Sequence, residues 1–202
     1  MRRPIVVTPA LLFAVALAAL PSAAQTAWDA PPLISHAAPS GASVFVLSPT
    51  GGDLGGLVTF RHEAGPVGLG YRASISDDAS GDGVAVAGGI DISGFLSRGV
   101  EDAPLDLLWW SGIGAGIGNE TVFTVPIGAV IGWSGRGSDV VISPYAGGHL
   151  ALDIRTGPGD NVRLGGSFDL GIDLDLDQGW LVRFGASVGD RDAVALGVRL
   201  PS

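Results

Sequence analysis

Residues 162–176 read VRLGGSFDLGIDLDL. One set of alternate positions is apolar: Val162, Leu164, Phe168, Leu170, Ile172 and Leu174. The other is Arg163, Gly165, Ser167, Asp169, Gly171, Asp173 and Asp175. Side chains alternate faces along a strand, so this stretch is a β-strand with one greasy and one polar face. The pattern continues downstream. Trp180, Val182, Phe184, Ala186 and Val188 alternate with Arg183, Gly185, Ser187 and Gly189, and Val194, Leu196, Val198 and Leu200 with Ala195, Gly197 and Arg199. Upstream, Leu105, Leu107, Trp109, Ile113, Ala115 and Ile117 oppose Asp106, Gly112, Gly114, Gly116 and Gly118, with Leu108 and Trp110 on that second face.

Reading outward in this way predicts ten strands, at 42–48, 54–62, 67–76, 83–97, 105–118, 121–134, 140–155, 162–176, 180–189 and 193–200. Short turns rich in Gly, Asp, Ser and Pro separate them, the mark of antiparallel hairpins. No window keeps helical spacing. Eight strands is the alternative count, because 42–48 is short and its Val-Phe-Val-Leu core does not alternate. Pro126 and Pro144 fall inside predicted strands. A proline cannot donate to the ladder, so each predicts a bulge or a late strand start.

The 202 residues include no cysteine, so disulfides, thiolate chemistry and Cys-rich zinc sites are excluded. All eleven basic residues are Arg, against 20 acidic ones and a net charge of −9, so no basic patch for nucleic acid exists. With 47% hydrophobic and 15% charged residues the chain is not disordered. No cofactor motif is present: GIGAGIG at 112–118 has the glycines of a dinucleotide fingerprint but lies within a strand, without the strand–turn–helix context that motif needs. Arg2 and Arg3, an apolar run from Ile5 to Leu20, and the small residues of Pro21-Ser22-Ala23-Ala24 form a secretory signal peptide over 1–24. Residues 25–41 hold three prolines and no periodicity and read as an N-terminal extension. Residues 42–202 form the strand domain.

Alternation does not say which face meets water. Three features choose. Soluble strands run to about 5–6 residues, whereas a tilted membrane-crossing strand needs about 9–11, and the middle strands here are of the longer kind. The polar face is Gly, Ser and Ala with isolated Arg and Asp, unlike a solvated sheet guarded by Lys. Trp109, Trp133 and Trp180 lie on the apolar face, where indoles favour a membrane–water boundary. The leader and the hairpin pattern over 42–200 resemble the small outer-membrane β-barrel proteins of Gram-negative bacteria. The resemblance implies a closed up-and-down antiparallel transmembrane β-barrel in the outer membrane, surrounded by outer-membrane lipid and inserted by the outer-membrane assembly machinery. That family ends its last strand on an aromatic residue; this chain ends Val198-Arg199-Leu200-Pro201-Ser202.

A barrel puts the polar face in a narrow lumen. Its charges are then Arg61, Arg72, Arg155, Arg163, Arg183 and Arg199 against Asp91, Asp106, Asp153, Asp169, Asp173 and Asp175. The numbers match, as a confined interior requires, because an unpaired buried charge costs several kcal/mol. Arg163, Arg183 and Arg199 are expected to join Asp169, Asp173 and Asp175 in one network. The many inward glycines leave either a thin water path or room for a plug from residues 25–41.

Other groupings are weaker. Asp173, Asp175 and Asp177 recur about 6.8 Å apart along one face, which fits a cation site or, with Arg at hand, salt bridges. Residues 78–83 imitate the front of a calcium loop, but Gly89 stands at its twelfth position, where an acidic ligand belongs. His149 faces inward near Asp153, with Ser143 or Ser167 as conceivable hydroxyl partners for nucleophilic chemistry. His36 and His62 show no partner. Turns after the odd-numbered strands carry Asp53, Asp77, Asp78, Asp82, Glu120, Asp160, Asp190 and Asp192 against Arg191 alone, an acidic rim suited to divalent cations. The leading function is a barrel with a structural or small-solute role and no catalysis. A soluble secreted β-sandwich binding module and a lipid-modifying barrel enzyme are the alternatives. The oligomeric state is not legible.

Overall fold

A computed structural model of the chain describes residues 28–37, 40–49, 54–64, 67–77, 83–100, 104–118, 120–137, 139–156, 161–176 and 179–200. The leader at 1–24, the calcium-like loop at 78–82 and Asp177 lie outside them. The strands are β1 (Gly41–Pro49), β2 (Gly55–Ala64), β3 (Val67–Asp77), β4 (Val84–Ser97), β5 (Asp106–Ile117), β6 (Thr121–Gly132), β7 (Gly135–Arg136), β8 (Val140–Thr156), β9 (Asn161–Leu176), β10 (Trp180–Gly189) and β11 (Ala193–Arg199). Ten of them form a closed antiparallel barrel. β7, two residues long, prolongs β6 along β8. Each strand pairs with its sequence neighbours, and β1 pairs with β11 to shut the ring. This is the expected ten-strand count, with ends within two residues of those read from the alternation.

Closure excludes the two-layered sandwich and settles the faces. Val46, Ile75, Ile113, Ile127, Phe168 and Leu196 point outward and are more than half exposed, while Trp110, Ala151 and Ala195 are fully buried inside. Exposed apolar surface on this scale, running around the barrel, is incompatible with water and matched to hydrocarbon. The closed ladder satisfies the backbone groups that lipid cannot. The chain is therefore a membrane barrel. Trp133 and Trp180 lie outside at the end that carries the chain termini, and half-buried Trp109 is one turn of pleat above that end.

β1 is a full strand despite its unbroken apolar run. Val44 and Val46 face out, whereas Phe45 and Leu47 face in. Inward apolar residues pack with Leu57, Ala193, Ala195, Ala30 and Leu33. The apolar surface on β1 that breaks the alternation is therefore matched to an apolar object inside the lumen.

The prolines make neither bulges nor late starts. β5 and β6 keep one register on both sides of Pro126, with the rungs between Ser111–Ile127 and Gly114–Thr124 missing. The Ser111 hydroxyl donates to the Pro126 carbonyl (2.8 Å), so the oxygen beside the gap keeps a partner. Pro144 pairs regularly with Ile172 of β9. On its other side it faces the break between β6 and β7, where Trp133 N–H donates to its carbonyl (3.4 Å) and no N–H answers. The register shift in the described ladder lies between Phe95 and Ser97.

Candidate functional site

The lumen is filled by the chain's own N-terminal extension. Trp28, Asp29, Ala30, Pro31, Leu33, Ile34 and Ser35 are all buried. The segment runs lengthwise. Asp29 contacts Arg191, in the turn between β10 and β11 at the end remote from the termini. His36 bonds Ser134 (2.9 Å) near the end that carries the termini, beyond which the chain enters β1. So His36 has a partner, contrary to the sequence reading.

Inward glycines form the socket. A methyl group at Gly112 or Gly114 would lie within 2.6 Å of the Trp28 indole, and one at Gly89 would overlap the same ring. Gly185 faces Leu33 in the same way, at 2.5 Å. Leu33 has φ +52°, a conformation that a branched side chain rarely adopts. Its side chain is held in the apolar cluster against β1, and its carbonyl accepts a hydrogen bond from Arg183 (2.7 Å). Ile34 packs with Trp110, Val130 and Tyr145. Burying residues of this size contributes about 1.5–3 kcal/mol each.

Polar contacts fix the segment along its length. Arg72 donates to the Pro31 carbonyl (2.5 Å). Ser35 donates to Asp173 (2.5 Å), which also pairs with Arg183 (3.1 Å). Asp29 pairs with Arg191 (2.5 Å), and Arg191 also reaches Asp153. The Asp153 carboxylate accepts from Thr124 as well (2.7 Å). His149 Nδ1 lies 2.7 Å from Asp169, and its Nε2 is 3.7 Å from Asp29. Asp169 accepts from Ser187 (2.6 Å). Arg61 pairs with Asp91 and donates to Ser93 (2.7 Å).

Several expected placements change. The single network of three Arg and three Asp does not form. Arg163 is half exposed and pairs with Asp190 (2.8 Å) in the β10–β11 turn, because residue 163 sits at the mouth of the barrel. Arg199 donates to the Gly179 carbonyl (3.2 Å), and Asp175 is exposed beside the other mouth. Asp106 accepts the Gly99 N–H (2.8 Å) at that same end, and Arg155 lies 3.9 Å from Glu120 at the far rim. Arg191 is no rim residue: its side chain folds inward because two buried carboxylates, Asp29 and Asp153, attract it. Among the described rim acids, Asp190 is held by Arg163 and Asp192 accepts the Gly189 N–H (2.6 Å).

Neither candidate hydroxyl is hydrogen-bonded to His149. Asp169 and Asp29 flank its ring; Ser143 bonds Ser134 (2.9 Å), and Ser167 accepts from the Arg191 N–H (3.1 Å). Sequence reading missed Asp29 and the inward Arg191. The traces they leave are an acid beside a Trp in the proline-rich N-terminal extension, and inner-face glycines that leave room for that extension.

Asp190 offers a pH test outside the membrane. The Gly166 N–H, donating at 2.9 Å, holds its carboxyl below the usual range, and Arg163 adds to this. Its contribution is therefore present above the ordinary carboxylate pKa and lost as pH falls through the lowered value. Asp190→Asn is expected to lower the unfolding midpoint in detergent slightly at neutral pH, and the two proteins should converge in strong acid. A constant difference across pH would contradict this.

No protein-family model and no curated protein matches the chain. Similar solved structures include the KdgM porin, at 8% identity and TM-score 0.41 over 78% of this chain and 96% of that one. The KdgM porin in complex with disordered oligogalacturonate is similar at 8% identity and TM-score 0.39 over the same shares. Ail, the attachment invasion locus protein of Yersinia pestis, in complex with the heparin analogue sucrose octasulfate, is similar at 8% identity and TM-score 0.25, over 79% of this chain and 96% of that one. The chain's own closed sheet and apolar exterior make it a membrane barrel.

Proposed function

We propose that the chain is a bacterial outer-membrane barrel, exported by a cleaved leader, whose lumen is corked at rest by residues 28–36. Its role is structural or concerned with small solutes, and it involves no catalysis. With an even number of strands both termini share one side, the periplasmic one in this reading. The observation that carries the reading is the seated segment itself. Barrels of this size are ordinarily filled by their own inward side chains. Here Gly89, Gly112, Gly114 and Gly185 leave that volume open and a non-strand segment occupies it. Such a segment can leave without breaking any strand pairing, which an inward side chain cannot do.

Planar-bilayer recordings test the proposal. The refolded mature chain is expected to be electrically silent, and a variant lacking residues 28–36 to show discrete conductance steps. Equal conductance in the two would dismiss the cork. Silence in both would dismiss the solute role and leave the structural one.

A further inference from the structure

Arg72 is a buried cation with no carboxylate within ion-pair distance among the described residues. Its Nη2 donates to the Pro31 carbonyl, while Nε and Nη1 are buried without a hydrogen-bond partner. Its charged neighbours are already committed. Arg61 pairs with Asp91, Arg183 with Asp173, and Asp29 with Arg191. Arg191 holds two carboxylates, Asp29 and Asp153, yet none of these acids is in ion-pair contact with Arg72. An unpaired buried charge and two unmet N–H donors are each expensive, so the site calls for a counter-ion.

Space for one lies alongside. A cavity of ≈ 10 Å³ is lined by Arg61, Arg72, Arg183 and Asp91, with Ser43 and Thr59 among its walls. That is about the room one water-sized sphere needs. Three guanidinium groups against a single carboxylate give the cavity a net positive lining. A halide is only slightly larger than a water-sized sphere, whereas a tetrahedral oxyanion is much larger.

We propose that this cavity binds one monatomic anion of the halide class, held by Arg72 between the plug segment and the β2–β3 wall. The ion neutralises Arg72 and takes up its free donors. Because Arg72 also holds the Pro31 carbonyl, the anion stabilises the corked barrel. Bound water would satisfy the donors but leave Arg72 without a direct counter-charge, so the two occupants are separable by experiment.

The test is thermal unfolding of the refolded mature barrel in detergent at constant ionic strength, with gluconate replaced stepwise by chloride. The midpoint is expected to rise and saturate. Bromide should act like chloride, and sulfate like gluconate. In Arg72→Gln the dependence should be lost. Crystals soaked in bromide should give an anomalous peak beside Arg72. Superimposable curves in chloride and gluconate, or electron density there for water alone without an anomalous peak, would overturn the proposal. Should Arg72→Gln not refold, the titration and the bromide peak of the unaltered protein still decide it.

Discussion

Trp28→Ala is expected to lower the stability of the folded barrel in detergent by about 3–5 kcal/mol, the cost of emptying a buried indole site. The indole is nearly sealed from solvent, at 2% exposure, and the inner wall beneath it is glycine on two adjacent strands, β4 and β5. That wall cannot collapse to fill the void without distorting the ladder. The companion variant is Gly89→Ala. The three atoms nearest an added methyl group there all belong to the Trp28 ring, so the barrel wall itself is not obstructed. Overpacking of this kind costs about 1–3 kcal/mol. Combined with Trp28→Ala the added methyl should cost almost nothing, because its collision partner is gone. Residues in contact give such non-additive cycles, whereas separated ones add. Strict additivity of the two changes, read from denaturant midpoints, would show that the ring does not sit on Gly89. In bilayers, Gly89→Ala should also conduct intermittently where the parent is silent, since it loosens the plug without shortening the chain.

Arg183→Ala is expected to be comparably severe, about 3–5 kcal/mol, as for removal of one member of a buried ion pair. Asp173 would keep the Ser35 hydroxyl but lose the guanidinium paired with it, and it is 1% exposed. The Leu33 carbonyl would lose its donor at the same time, so the plug loosens where its backbone is most constrained. The paired change Arg183→Met with Asp173→Leu should recover much of the loss, because a well-packed apolar pair can replace a buried ionic one at little cost. Denaturant unfolding in detergent reads all three proteins. An unaltered midpoint for Arg183→Ala would mean that this guanidinium is hydrated and not confined.

Most of the barrel wall is legible one strand at a time. Alternation between Phe168, Leu170 and Ile172 on one side and Asp169, Gly171 and Asp173 on the other is a local property, so it survives any arrangement of neighbours. Strand length and the Lys-free polar face then choose lipid over water. Partner choice is different. Arg163 and Arg183 look equivalent in sequence, since each sits among apolar residues on the inward side of its strand. Their fates differ by depth: Arg183 lies mid-barrel opposite Asp173, while Arg163 reaches the rim and finds Asp190. Depth depends on how far each strand extends and on its stagger against the next, which no single strand encodes.

A plug from residues 25–41 is one of two alternatives the sequence offers, but its contacts are the least legible of all. Residues 28–36 have no period because they touch a concave wall on every side, so no repeating face is selected. Reading the chain alone yields a ten-stranded wall with glycines on its inner side and a charge tally that balances. Folding in three dimensions assigns those glycines to Trp28 and Leu33, brings Asp29 to Arg191 across most of the chain length, and leaves Arg72 without an ion-paired carboxylate among the described residues. The physical reason is range: side-chain alternation follows from the pleat of one strand, whereas the contents of the lumen depend on all the strands that enclose it.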